Sequence, residues 1–308
     1  MAISSRPSSA SSRSSSTSCS TISPGSDLPQ QHQTAVNGTE ITWYEWGDRG
    51  APLIVLAHAT GFHARCWDRV VSRLDGYHII AADNRGHGLS GKQRPWNWQQ
   101  FGKDLTCFVS ELDLRDIIGV GHSMGGVCMI RAAASEPDRF QRLVLLDPVV
   151  FEPADYHERP VWAGDEHPVA RRRDVWDSPE QMYEAFHARQ PYSRWQPDVL
   201  MDYCRYGLVR TGDAFRLSCP PAVEEAVYVS SLDYDIHERV PDVTVDVTVV
   251  RANYRGAIEA ARDFSLSPTW PGLAQQFASG TDVYLPDESH FMPMENPELA
   301  ARLIAGES

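Results

Sequence analysis

The stretch IIGVGHSMGGVCMIRAAA, residues 117–134, decides the architecture. Ile117–Val120 is a short, continuously apolar run of the kind that forms a strand buried on both faces. Met124–Ala134 reads as a helix. Between them lies GHSMGG, Gly121–Gly126, a Gly-x-Ser-x-Gly pattern at a strand-to-helix junction. Small residues at Gly121 and Gly125 let such a turn close tightly enough to push Ser123 out of the sheet. The amides at the start of the helix point at the same place, so Ser123 is a candidate nucleophile and the Met124 N–H a candidate oxyanion donor.

The same rhythm extends outward on both sides. Glu40–Trp46 alternates apolar and polar residues like a half-exposed strand, and Leu53–Ala57, His78–Ala82 and Leu143–Leu146 are further buried strands. Cys66–Leu74 and Trp96–Leu112 read as the helices between them. This alternation predicts an α/β protein with a mostly parallel, doubly wound sheet and helices on both faces. The rhythm stops at Phe151–Val240, which is rich in Pro, Asp, Arg and aromatics and contains helix-like pieces at Pro179–Ala188 and Val199–Tyr206. It resumes with Val243–Val250, a helix-like Trp270–Ala278, a strand Thr281–Leu285 and a last helix, N-capped by Asn296 with Pro297 at its first position and running to Gly306. Residues 33–150 and 241–308 are therefore expected to form one core, and 151–240 a mainly helical insertion carried on it.

A chain of 308 residues, with 42% hydrophobic residues and nine Trp, is long enough for one such core and its insertion. The formal charge of −13 repels nucleic-acid backbones and anionic bilayers, which leaves a small molecule as the expected partner. Six cysteines without CxxC or repeated spacing argue against a disulfide framework or a zinc site. Residues 1–32 are expected to be a disordered leader, because Met1–Ser26 is about half serine and contains two arginines and no acid. That leader lacks the apolar stretch of a secretory signal, although an organelle transit peptide has a similar composition. No run approaches the roughly 18 apolar residues of a membrane span, and the expected location is cytoplasmic.

A serine hydroxyl needs a base within hydrogen-bond reach. His290, in the loop PDESHFMPMENPE after the last strand, lies at the carboxyl end of the sheet together with Ser123. An acid must orient that histidine. The strand VTVVRANYRG ends on Asn253, Tyr254 and Arg255, with no carboxylate, so the acid is assigned to Asp147, directly after Leu143–Leu146. Glu152, Glu259 and Asp263 are further candidates. The second oxyanion donor is assigned to the Thr60 N–H in the loop HATGFHARCW, residues 58–67, where Ala59 stands in place of a more flexible glycine. Phe62, His122 and Phe291, neighbours of these groups, are assigned to substrate binding, His122 pointing away from the position of the base.

Together HATGFHARCW, ADNRGHGLSG (Ala82–Gly91), GHSMGG and DESHF resemble the α/β-hydrolase superfamily, over nearly all of residues 33–308. Ser123 places the resemblance in the serine-nucleophile branch, apart from the haloalkane dehalogenases and epoxide hydrolases, which use an aspartate. An acid after the sixth strand is a recognised variant within the superfamily, and the departures are Ala59 and the missing acid near Asn253. The resemblance implies that 151–240 is a cap over the active site. Its aromatics (Trp162, Trp176, Tyr183, Phe186, Tyr192, Trp195, Tyr203, Tyr206) either line a pocket or form the cap's own core, with His187 or Arg189 as a polar anchor. The activity implied is hydrolysis of a small, apolar ester through a Ser123–His290–Asp147 triad and an acyl-enzyme, with no metal or organic cofactor. The same apparatus also cleaves carbon–carbon bonds or amides or transfers acyl groups. A weakly catalytic ligand receptor or a scaffold is the reading from a different class.

Overall fold

Residues 28–157, 167–256, 259–260 and 263–307, together with Met1, are described by a computed structural model. One sheet of eight strands carries the molecule, in the order β1 (Gln30–Val36), β2 (Thr39–Trp46), β4 (His78–Ala82), β3 (Leu53–Ala57), β5 (Ile117–His122), β6 (Phe140–Leu146), β10 (Asp246–Arg251) and β11 (Gly280–Tyr284). β1 and β2 form an antiparallel hairpin, β2 pairs antiparallel with β4, and all pairs from β4 to β11 are parallel. The expected mostly parallel sheet is present.

Alternation along the strands builds a core on each face. In β3, Leu53, Val55 and Ala57 join a cluster with Phe101, Phe108 and Val127 from helices α2 (Trp98–Glu111) and α3 (Met124–Ser135). Ile54 and Leu56 point the other way, toward Trp67, Val70 of α1 (Asp68–Val71) and Ile304 of α7 (Pro297–Ala305). Each fully buried aliphatic side chain contributes about 1.5–3 kcal/mol, which explains why these runs show no polar position. As its sequence predicts, α7 starts with the Asn296 side chain accepting from the Leu299 N–H at 3.1 Å, and stops where Gly306 adopts a left-handed φ of 83°.

Between β6 and β10 stand helices α4 (Pro179–Phe186), α5 (Pro197–Tyr206) and α6 (Pro221–Ser230), and a small antiparallel sheet of β7 (Val175–Trp176), β9 (Ala214–Leu217) and β8 (Leu208–Thr211). That sheet is absent from the sequence reading because its strands are only two to four residues long. Two other expectations need correction. Strand β1 begins at Gln30, inside the stretch 1–32 read as leader, because its pattern QQHQTAV is polar enough to hide an edge strand; residues 2–27 lie outside those described. Trp270–Ala278 is not an α-helix: Pro271 and Gly272 break it into turns, followed by one 3-10 turn at Ala274–Gln276. Among the described residues, no helix is long and apolar enough to cross a membrane.

Several histidines are locked into the interior in neutral form. His58 donates from Nδ1 to the Ala59 carbonyl at 2.7 Å and accepts the Asn84 N–H at Nε2 at 2.9 Å, which ties the loop after β3 to the loop after β4. His63 hydrogen-bonds the Tyr203 carbonyl through Nε2 at 3.1 Å. Burial lowers His58 to about 4 and His63 and His122 to about 3. The unfolded chain therefore binds protons between pH 6.5 and 4 that the folded chain does not. The resulting stability is complete above pH 6.5 and is lost as pH falls toward the folded values, at roughly 1.4 kcal/mol per pH unit for each group. Urea unfolding at a series of pH values is expected to show a midpoint that drops steeply from pH 6.5 to 4.5. A flat profile over that window contradicts neutral, buried histidines.

Candidate active site

The turn between β5 and α3 is built by close backbone approach. A Cβ on Gly121 would lie 2.4 Å from the Gly125 carbonyl oxygen, and one on Gly125 would lie 2.2 Å from the carbonyl oxygen of Ala57 in β3. Only glycine fits at both places. The contact forces Ser123 into an unusual backbone conformation, φ 58° and ψ −122°, at the apex of the turn. Its Oγ stands 3.0 Å from His290 Nε2, and His290 Nδ1 stands 2.7 Å from Asp147 Oδ2. The geometry thus brings Ser123, His290 and Asp147 into one hydrogen-bonded line, from three loops at the carboxyl ends of β5, β11 and β6.

Asp147 is completely buried and follows β6 directly, with φ 48°, a left-handed conformation that Asp tolerates better than most residues. Its Oδ1 accepts from the Ala252 N–H at 3.0 Å, the Ser267 hydroxyl at 2.5 Å and, more weakly, the Thr269 hydroxyl at 3.4 Å. Both carboxylate oxygens are therefore satisfied in the interior. The end of β10, which lacks an acid, supplies the Ala252 amide that steadies this one. Ser267 and Thr269 escape the sequence reading because Ser-Pro-Thr looks like ordinary loop composition. The other candidate acids are elsewhere: Glu152, Glu259 and Asp263 are all exposed.

Helix α3 begins at Met124, so its N–H has no partner within the helix, and among the described residues neither the Met124 nor the Thr60 N–H donates to a protein acceptor. The two loops touch through the Thr60 hydroxyl and the Met124 sulfur, 3.5 Å apart. The turn after Thr60 is made by Gly61 at φ 75°, whereas Ala59 is not among the residues with positive φ. Alanine at 59 therefore costs the loop nothing.

A cavity of about 760 Å³ opens beside this line, and its wall includes Thr60, Phe62, Phe264 and Phe291. Phe264 stacks toward the His290 ring at 6.4 Å, and Phe62 lies parallel to Phe291 at 5.9 Å. Phe62 and Phe291, assigned to substrate binding from the sequence, thus line the cavity. His122 does not. It is fully buried, off the cavity wall, and its Nε2 donates to the His290 carbonyl at 2.7 Å, because the residue before the apex serine points back into the sheet. It supports the loop that carries His290.

From the inserted segment, Trp176, Phe186, Tyr192, Trp195 and Tyr203 share the cavity wall, and Trp176, Trp195 and Tyr203 also belong to a buried cluster with Phe62 and Phe291. They are pocket wall and local core at once. Tyr183 stacks on the exposed His187, away from the cavity, and Tyr206 lies under the Arg65 guanidinium at 3.8 Å. Arg189 lines the cavity and His187 does not. Trp162 lies outside the described residues. Arg172, unremarked in the sequence, is also in the wall, held by Glu224 and the Tyr203 hydroxyl.

Comparison with known proteins places this geometry in a family. The sequence model of the alpha/beta hydrolase family matches residues 54–303. The chain is 27% identical to the lipase LipV of Mycobacterium tuberculosis, over 84% of its own length and 94% of the relative's. It is 29% identical to a putative non-heme haloperoxidase of Mycobacterium phage D29, over 83% and 87% of the two chains. Among solved structures, E-2-(acetamidomethylene)succinate hydrolase superposes with a TM-score of 0.73 at 20% identity, covering 91% of this chain and 98% of the other. The chain belongs to the alpha/beta hydrolase family and is an enzyme, a hydrolase.

Proposed function

We propose that the protein hydrolyses a small carboxylic ester through an acyl-enzyme on Ser123, with His290 as general base and acid, Asp147 as the group that orients it, and residues 151–240 as the cap over the pocket. The observation that carries the reading is the continuous line from the Ser123 hydroxyl through His290 to a buried, fully hydrogen-bonded Asp147. The relationship to LipV, named a lipase, supports an ester as the bond cleaved.

In this mechanism His290 Nε2 takes the Ser123 proton as Oγ attacks the ester carbonyl. The Thr60 and Met124 amides, which have no protein acceptor to give up, hold the oxyanion of the tetrahedral intermediate. The imidazolium, steadied by Asp147, then returns its proton to the leaving alkoxide. Water enters, loses a proton to His290, and releases the acid and the free serine. Asp147 keeps its charge throughout and fixes the tautomer with Nδ1 protonated.

A fluorophosphonate probe is expected to label the wild type and to fail on Ser123→Ala and His290→Ala, each of which should lower turnover of an aryl ester by about 10⁴-fold or more. Labelling that persists in Ser123→Ala contradicts the assignment. Asp147→Asn should keep the fold yet lose about 10⁴-fold in kcat, because the amide stabilises the wrong histidine tautomer. Ser267→Ala removes one donor to the carboxylate and should lower kcat by a smaller factor, with KM unchanged. Equal kcat values for Ser267→Ala and wild type would show that the carboxylate is held without it.

A further inference from the structure

The cavity wall contains an unusual arginine. Among the described residues, five other arginines meet a carboxylate side-on, through Nε and Nη2 together: Arg49 with Glu45, Arg65 with Asp68, Arg69 with Asp202, Arg85 with Asp104 and Arg251 with Asp282. Arg172 does not. Its Nη1 donates to Glu224 Oε2 at 2.7 Å and its Nη2 to the Tyr203 hydroxyl at 2.6 Å, while among the described residues its Nε donates to nothing. The side-on edge, the geometry that matches a carboxylate best, meets only the neutral Tyr203 hydroxyl.

The charge of the wall points the same way. Arg172, Arg173 and Arg189 line the cavity against a single carboxylate, Glu224, in a chain whose formal charge is −13. Neither Arg173 nor Arg189 is paired with a carboxylate among the described residues. Arg173 instead bonds the Val175 carbonyl and Gln181 and lies 4.0 Å over Trp176. A local excess of positive charge in a cleft of an acidic protein concentrates an anion there. Two contacts link Arg172 to the loop after β3. Glu224, the partner of Arg172, packs against the Gly61 turn of the oxyanion loop, and the Tyr203 ring that touches Arg172 lies 5.4 Å from the Phe62 ring.

We infer that the substrate is an ester that carries a carboxylate a few bonds from its scissile carbonyl, and that the Nε/Nη2 edge of Arg172 binds this carboxylate, with the Tyr203 hydroxyl beside it and Arg189 at the mouth. This rests on the proposed ester hydrolysis and replaces the expectation of a wholly apolar substrate. The ester end meets Phe62 and Phe291, and the charged end meets the guanidinium.

The test compares the 4-nitrophenyl monoester of adipic acid with its methyl ester, in which a methyl group caps the acid and removes the charge, both read by release of 4-nitrophenol. Wild type should show kcat/KM at least about tenfold higher for the free acid, against the repulsion of the chain's overall charge. Arg172→Lys keeps the positive charge but loses the fork and should bring the ratio close to one, the methyl ester serving as the internal reference for each variant. Arg189→Ala should lower the ratio severalfold and flatten its dependence on salt. A wild-type ratio of one or less, or a ratio unchanged in Arg172→Lys, overturns the inference. Calorimetry on Ser123→Ala measures the same selectivity without turnover, and it does not depend on the folding of Arg172→Lys. Tighter binding of the acid supports the carboxylate site even where wild type hydrolyses neither ester, in which case ester hydrolysis alone fails. Equal binding of the two esters, or binding of neither, overturns the site whatever the turnover.

Discussion

A charged carboxylate with no access to water is costly unless every lone pair finds a donor, and the arrangement around Asp147 answers that constraint. Its backbone N–H is held by the Val250 carbonyl at 2.7 Å, one oxygen takes the Ala252 amide and the Ser267 hydroxyl, and the other is left to His290. The donors come from β10 and from the segment that follows it. Packing β6 against β10 therefore sets the position of the carboxylate, the carboxylate sets the histidine ring, and the ring sets the hydrogen bond to Ser123. A fold that placed its acid after β10 would not need Ala252, Ser267 and Thr269 in these roles.

The opposite side of the line is fixed by sterics rather than charge. Gly121 and Gly125 bring the turn after β5 against the end of β3, and the Thr60 hydroxyl there touches the Met124 sulfur. His58 adds a neutral bridge from this loop to Asn84, and His122 holds the backbone of His290 from below. The loops that meet at Ser123 are therefore tied to one another independently of any ligand. Such preorganisation lets amide dipoles act on a developing charge without rearrangement.

How much of this was legible in the sequence depended on the kind of signal. The sheet and the turn at Ser123 were readable because apolar runs and glycine spacing are local. Asp147 was reached by elimination, since Asn253, Tyr254 and Arg255 closed the alternative position. The Ser267 and Thr269 donors were invisible, because they act across more than a hundred residues of chain and sit in an unremarkable loop. Strand β1 was missed because an edge strand need not be apolar. Arg172 was hidden in the run Arg171–Arg172–Arg173, because nothing local in three successive arginines tells that the fold turns Arg172 and Arg173 into the cavity wall.

The central claim is that chemistry passes through a covalent bond to Ser123. Intact-protein mass spectrometry of the wild type, quenched during turnover of a 4-nitrophenyl ester, tests it most directly. The account predicts a mass increase equal to the acyl group, located by digestion on the peptide that contains Ser123. Turnover with no adduct, or with the adduct on another residue, would contradict it.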